Sequence, residues 1–406
     1  SCNLTGSGVK CTMESLDPSW LNGDFLVKLL QSAEDANKEV EVIKYRCQRA
    51  VPPGANYLSQ LYRVSVEYKT DNVKTVSLII KTPLESGFVR EVMEKIGCYK
   101  HEIKMYNEIL PKMYGLHSCR FTAKQFFCPL ENSLVLEDLR ESGYKMADRL
   151  QQLDFAHCHH FLESLARLHA LSVVTQERYP ELLEAFKKHP LLSKDVSEEI
   201  NRANEEQTID IMKKLADVLE GLDGCERYAG MIRKMSDTWW EKMIKITTPG
   251  DGLLVLNHAD TWTNNIMFKY DDSGRVVDAK LIDFQVWHLN SFALDIILFW
   301  WTSANETVRE HHQSELFECY RRTFNTTLSE LQCSKCLSKE EFALEIKSKA
   351  AYAIQVVQTM LGIAMADPHV SDFATPQSHD SLTHSLTKNF KSKYYIKVLP
   401  KIVVQT

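Results

Sequence analysis

The sequence predicts an α+β fold in two lobes, a small β-rich N-terminal lobe and a larger, mainly helical C-terminal lobe. Three observations predict it. Two β-rich runs, 61–69 and 73–81, flank Thr70-Asp71-Asn72 and read as a hairpin. A short apolar strand, Leu134-Val135-Leu136-Glu137, then gives way to long stretches of helical period. A second β-rich island, 253–285, is embedded in that helical half around the turn signal Asp271-Asp272-Ser273-Gly274.

Each element has its own signal. Asp17-Pro18 reads as an N-cap followed by proline in the first turn, and Phe25, Leu26, Leu29 and Leu30 follow at helical spacing. Residues 97–110 read as a helix with Ile103, Tyr106, Ile109 and Leu110 on its apolar side, stopped by Pro111. In 155–171, Phe155, Cys158, Leu162, Leu165 and His169 recur at steps of three and four. Polar helices fill 196–246, and 292–362 is helical by period. The expected division is an N-terminal lobe over 1–136, a hinge at 137–139 and a C-terminal lobe over 140–406. Met13 opens Met-Glu-Ser-Leu-Asp-Pro, which reads as a natural start, with residues 1–12 as extra sequence.

Composition narrows the function. The chain has 406 residues, 44% hydrophobic and 25% charged, enough for a sizeable core. The net charge is −6 and no Lys/Arg run stands out, which argues against nucleic acid as a partner. No apolar run approaches the roughly 18 residues of a membrane span. The opening Ser1-Cys2-Asn3-Leu4 has neither the charged nor the apolar part of a secretory signal. Eleven scattered cysteines are not the pattern of a disulfide scaffold, so reduced thiols and a cytoplasmic setting are expected. Cys333-Ser-Lys-Cys336 is a lone CxxC, and Asn305 and Asn325 open sequons that read as chance without a signal peptide.

The residues that carry chemistry lie around the embedded hairpin. His258-Ala259-Asp260 is followed by Asn265, and Asp283-Phe284-Gln285 comes 23 residues after Asp260. Phosphoryl transfer calls for this set. The moving group spreads negative charge over its oxygens, and a magnesium ion bridging the phosphates wants hard oxygen ligands. Asp283 and Asn265 offer such oxygens, and the predicted turn between them brings the two back together. Asp260 is the carboxylate that orients the attacking hydroxyl and accepts its proton. The alternative reading makes Asp260 and Asp283 surface carboxylates and His258 a core residue.

The other half belongs in the small lobe. A lysine ending a strand should hold the α- and β-phosphates, with a helix glutamate holding that lysine. Lys81 ends the run Val76-Ser77-Leu78-Ile79-Ile80, and Glu102 lies on the next helix. As an ion pair in an open cleft, the two are expected to add little to stability. Pro53 to Ser59 stands where a phosphate-covering loop belongs, with Asn56 and the Ser59 hydroxyl as candidate contacts. Glu137-Asp138-Leu139 is the candidate hinge, where backbone at Glu137 and Leu139 would meet adenine. Its acidic side chains read equally well as solvated.

Together these residues resemble the ecdysteroid kinase-like family of arthropods, also called CHK kinase-like, within the choline/aminoglycoside kinase group of the protein-kinase-like fold. The resemblance runs in order over roughly residues 50 to 325. It takes in Asn56-Tyr57-x-Ser59 with Tyr62-Arg63-Val64, Lys81, Glu102-Ile103-x-x-Tyr106, and Leu136-Glu137-Asp138-Leu139. It continues through Leu165-Ala166-x-Leu168-His169-Ala170, His258-x-Asp260-x-Trp262-x-Asn264-Asn265, and Asp283-Phe284-Gln285 with Asp295. It implies ATP with magnesium and phosphorylation of a small-molecule alcohol. By carry-over Asp260 is the base, Asn265 and Asp283 are metal ligands, Lys81 and Glu102 anchor phosphate, and Asp295 braces the catalytic loop beside His258. Ala259 stands where the family usually has Gly, Ala55 where it has Glu, and His101 where Arg is common. Gln285 replaces the Gly of the protein-kinase Asp-Phe-Gly, and no activation-loop switch is expected.

An ecdysteroid hydroxyl is one acceptor the resemblance implies. Choline, ethanolamine or xenobiotic alcohols are others, and a non-catalytic ligand-binding protein on the same scaffold is the rival class. Trp287, Trp300 and Trp301 read either as the wall of an acceptor pocket, suited to a steroid face or a cation, or as core.

Overall fold

The computed structural model describes residues 17–34, 38–51, 58–187, 198–368 and 378–405. Asn56, most of the phosphate-loop candidate around it, and Met13 with residues 1–12 lie outside them.

The N-terminal lobe is a five-stranded antiparallel sheet in the order β1-β2-β3-β5-β4. Its strands are β1 (Glu41–Arg49), β2 (Ser59–Lys69), β3 (Val73–Pro83), β4 (Gln125–Phe126) and β5 (Leu134–Glu137). The expected hairpin is β2–β3, closing at the Lys69–Val73 pair. Alternation turns Tyr62, Val64, Val66, Leu78 and Ile80 inward, and Phe25, Leu26, Leu29 and Leu30 of helix α1 (Gly23–Gln31) cover them.

Two local expectations fail, and one strand was not anticipated. Asn22, not Asp17-Pro18, caps α1: its side chain accepts from Phe25 N at 2.9 Å, while Pro18 O closes a turn with Leu21 N. The strand β1 turns Val42, Tyr45 and Cys47 inward, but a register shift between Val42 and Lys44 breaks its period of two. It is a half-exposed edge, and Glu41, Lys44, Arg46 and Arg49 discourage edge-to-edge pairing while masking the β pattern. Pro111 does not stop its helix. After α2 (Phe88–Lys95), the chain runs from α3 (Cys98–Lys104) through a π turn at Met105–Ile109 into α4 (Leu110–Leu116). The wider π turn, followed by a fresh helical start, takes the proline ring where its missing N–H costs least.

The acidic side chains after β5 are not simply solvated. Asp138 is 2% exposed and takes Arg63 Nε at 2.6 Å and the Ser77 hydroxyl at 2.9 Å. Burial works to raise its pKa, but these partners outweigh it and hold the carboxyl below its ordinary value. Removing one member of a buried pair strands the other charge. Arg63→Ala should therefore lower folding stability by about 3 kcal/mol, read as a lower urea midpoint at unchanged m-value.

The C-terminal lobe packs around α5 (Phe155–Arg178), capped by Asp154, whose carboxylate accepts from His157 N. After the short α6 (Pro180–Leu183), α7 (Glu198–Glu220) and α8 (Glu226–Thr247) form an antiparallel pair. The expected β island supplies three strands of two small sheets, β6-β8-β9 and β7-β10, whose remaining strands, β6 ahead of α5 and β10 just past residue 285, lie outside its expected bounds. Their strands are β6 (Tyr144–Met146), β7 (Leu254–Asn257), β8 (Ile266–Tyr270), β9 (Val276–Leu281) and β10 (His288–Ser291). The β8–β9 turn closes as its sequence asks: Asp271 Oδ1 accepts from Ser273 N at 3.0 Å, and Gly274 takes φ +79°.

The helix α9 (Phe292–Thr302) is buried almost all round, and α10 (Glu306–His311) and α11 (Gln313–Glu330) follow, α11 packing along α5. The chain ends in α12 (Lys339–Lys349), α13 (Tyr352–Gln358), α14 (Met360–Ala364), α15 (His379–Lys388) and α16 (Lys393–Gln405). Among the described residues no helix is long and apolar enough to cross a membrane. Cys333 and Cys336 are both free thiols.

Candidate active site

A cleft of about 360 Å³ lies between the two lobes. Leu61, Ile79, Ala123 and Leu136 line it from the sheet side, and Met267 and Ile282 from the β8–β9 side. An apolar slot with a few convergent polar groups is what a planar base with a charged tail needs. Lys81, Glu102, Asp260, Asn265 and Asp283 all line it, as do Glu137 and Leu139.

Lys81 sits near the end of β3 and Glu102 on α3, and nothing local makes them meet. The fold does: Lys81 Nζ is 2.7 Å from Glu102 Oε2 and 2.7 Å from Asp283 Oδ1. Lys81 is 6% and Glu102 3% exposed, so the pair is buried and not in an open cleft as expected. Burial works to lower the Lys81 pKa, but the charges of Asp283 and Glu102 outweigh it and raise it. Burial raises the Glu102 carboxyl, with Lys81 opposing and Asp283 adding to the rise.

Asp260 follows β7. Asn265, at the end of a 3₁₀ turn, donates its Nδ2 to Asp260 Oδ2 at 2.6 Å and to Asp260 O at 2.9 Å. Burial, then the neighbouring charge of Asp283, pushes the Asp260 pKa up to about 7, against hydrogen bonds from Asn265 and Trp262. Ile282 N donates to Asn265 O at 3.0 Å, and the Ile266–Leu281 pairing of β8 with β9 keeps Asn265 beside Asp283.

These bonds leave Asn265 Oδ1 and Asp283 Oδ2 for other use. A carboxylate and a carboxamide oxygen, both on the cleft wall, form a donor set that suits a hard divalent cation. Asp283 is held at φ +69°, in the left-handed region. Non-glycine residues rarely occupy it, and such strain tends to collect at functional sites.

Asp295, in the first turn of α9, holds the loop from below. Its Oδ2 accepts from His258 N at 2.7 Å and its Oδ1 from Ala259 N at 2.8 Å. The His258 ring reaches across to Ile282 O at 2.9 Å, and burial lowers its pKa. Ala259 takes φ +63° in this turn, in the left-handed region that favours glycine. Ala259→Gly should therefore raise folding stability by about 0.5–1 kcal/mol, measurable by urea unfolding.

The other predicted residues are placed less simply. Ser59 opens β2, 4% exposed, and is not part of the cleft wall. The Glu137 carboxylate accepts from Lys124 N and the Ser142 hydroxyl. Trp287 and Trp300 are buried in the core, and Trp301 packs against it; none of the three lines the cleft.

Sequence reading also missed partners. His169 on α5 bridges Asp295 Oδ2 at 3.2 Å and the Tyr320 hydroxyl at 2.6 Å. The signal was there, since His169 closes a regular apolar run, but periodicity reports only that such a residue is buried. Trp262 closes the turn on Asp260, its backbone N donating to Asp260 O at 3.0 Å, a contact that no spacing rule predicts.

Residues 53–333 match the Ecdysteroid kinase-like family. No curated protein matches the chain. Among solved structures, APH(2″)-IIa in its gentamicin complex aligns over 93% of this chain and 98% of its own, at 11% identity and a TM-score of 0.42. A glucosamine kinase aligns over 84% and 94%, at 11% identity and 0.35. A choline/ethanolamine kinase family protein from Mesorhizobium loti aligns over 87% and 96%, at 11% identity and 0.31.

Proposed function

The chain belongs to the ecdysteroid kinase-like family, and from that premise we propose that it is an ATP- and magnesium-dependent small-molecule kinase acting on an alcohol, with an ecdysteroid hydroxyl as a candidate acceptor. The observation that carries this reading is the meeting of Lys81 with Glu102 and Asp283 in the cleft that also holds Asp260 and Asn265. In this reading residues 137–139 are the hinge between a lobe over 1–136 and a lobe over 140–406, and backbone at Glu137 and Leu139 meets adenine.

The residues divide the work. Lys81 holds the α- and β-phosphates, and Glu102 holds Lys81. Magnesium, when bound with the nucleotide, neutralises charge on the phosphate oxygens, and Asp283 and Asn265 would hold it. Asp260 accepts the proton as the acceptor oxygen bonds to the γ-phosphorus and the bond to the β–γ bridging oxygen breaks, releasing ADP. A base with a pKa near neutrality suits that task. Asp295 keeps the loop carrying Asp260 in place through two backbone N–H groups.

Asp283→Ala should lose the magnesium dependence of nucleotide binding, because a hard cation loses its carboxylate. Calorimetry with ATP, with and without magnesium, reads this, and unchanged affinity and metal dependence would remove Asp283 from the role. The function itself is tested by ATP-dependent phosphorylation over a panel of ecdysteroids, choline, ethanolamine and plant glycosides. Transfer to any of them supports a kinase and narrows the acceptor. Nucleotide binding with no transfer to any member favours a ligand-binding protein.

A further inference from the structure

The residue after Asp283-Phe284 is Gln285, 2% exposed. A glycine there, as in the protein-kinase Asp-Phe-Gly, would place no side chain in the site. In the orientation that satisfies both ends of its carboxamide, Gln285 donates from nitrogen to Asp283 Oδ1 at 3.3 Å and accepts at oxygen from Lys81 Nζ at 3.1 Å. It thus spans the ion pair that Lys81 and Asp283 make directly at 2.7 Å.

Two neighbours fix the segment that carries it. Phe284 packs its ring 4.5 Å from that of His258. Trp287 donates its indole N–H to His101 O at 2.8 Å, tying the segment to the helix that bears Glu102.

We propose that Gln285 is a positioning residue that holds Asp283 and Lys81 in register when their direct contact is exchanged for metal and phosphate. The inference rests on the phosphotransferase reading of the cleft. On nucleotide binding Lys81 turns toward phosphate while Glu102 still holds it, and Asp283 offers Oδ2 to magnesium, so the direct contact of Lys81 with Asp283 Oδ1 is the one that loosens. The carboxamide spans that contact, accepting from Lys81 Nζ beside Glu102 and donating to Asp283 Oδ1. Neutrality matters as much as reach. Two carboxylates already share one ammonium here, and a third would stand uncompensated beside the incoming phosphates.

The test is calorimetric titration of the full chain with a non-hydrolysable ATP analogue over a magnesium series, so that turnover is not needed. Gln285→Met keeps the length and removes the amide, and thermal melts confirm that it folds. It should need about tenfold more magnesium for half-maximal binding, the weight of one or two hydrogen bonds. Its magnesium-free affinity should change far less. Gln285→Glu folds by the same criterion or is replaced by Gln285→Asn; the glutamate should weaken magnesium-free binding about tenfold through repulsion of the phosphates. Wild-type magnesium dependence in Gln285→Met together with wild-type metal-free affinity in Gln285→Glu overturns the proposal alone. Should the substitution to Asn stand in, wild-type magnesium dependence in it and in Gln285→Met has the same meaning. A wild-type chain whose nucleotide binding ignores magnesium overturns the phosphotransferase reading, and this inference with it.

Discussion

Asp260→Asn should reduce phosphoryl transfer by about 10³-fold, within the range for loss of a positioned general base, while nucleotide affinity stays within about twofold. The asymmetry follows from geometry. Asp260 lies beside Asn265 and Trp262, whereas the nucleotide's phosphates are assigned to Lys81 and the metal ligands. The asparagine keeps the shape and can still take the Asn265 bond, but it cannot accept the acceptor's proton. Rapid-quench measurement of a single turnover reads the chemical step directly. A variant with wild-type turnover would remove the base assignment. One that lost nucleotide affinity and turnover together would move Asp260 to the metal.

The second large effect concerns Lys81 and Glu102. Lys81→Ala and Glu102→Ala should each lower kcat/KM by about 100-fold or more, the scale of removing one preorganised charge partner. The double variant should lose little beyond the worse single one, because residues that act through each other are not additive. Burial adds a consequence for stability. Lys81→Ala leaves Glu102 and Asp283 facing each other without a cation, so it should cost about 3 kcal/mol of folding stability. Glu102→Ala should cost less, since Asp283 still accepts from Lys81 at 2.7 Å. A double variant showing the product of two independent losses would mean that the pair does not work as a unit.

The sequence made the long-range plan of the site legible because its parts have local signatures. The β8–β9 turn is written in Asp271 to Gly274, and it forces the residues on either side of the hairpin together. Lys81 at the end of an apolar run and Glu102 on a helix needed the kinase pattern of a strand lysine held by a helix glutamate to be paired, since spacing alone never brings β3 to α3. What stayed hidden was tertiary. Gln285 reads in sequence as a missing glycine, and only the fold turns its carboxamide onto Lys81 and Asp283. Asp138 looks like a solvated acid until Arg63, far away in sequence, is laid beside it. The π turn before Pro111 overrides a breaker rule that holds for a regular helix. The two tryptophans Trp287 and Trp300 show the limit of residue type as evidence, because an aromatic wall and an aromatic core have the same composition.

The central claim is that this cleft moves a phosphoryl group from ATP to an alcohol. It is tested most directly by incubating the protein, magnesium and the acceptor panel with ATP carrying ¹⁸O in its γ-phosphoryl group, and following the label by mass spectrometry. The account predicts labelled phosphate ester on one or more acceptors with the wild-type chain, and almost none with Asp260→Asn at equal nucleotide occupancy. Label released only as inorganic phosphate, or a nucleotide that binds and is never consumed with any acceptor, would contradict it.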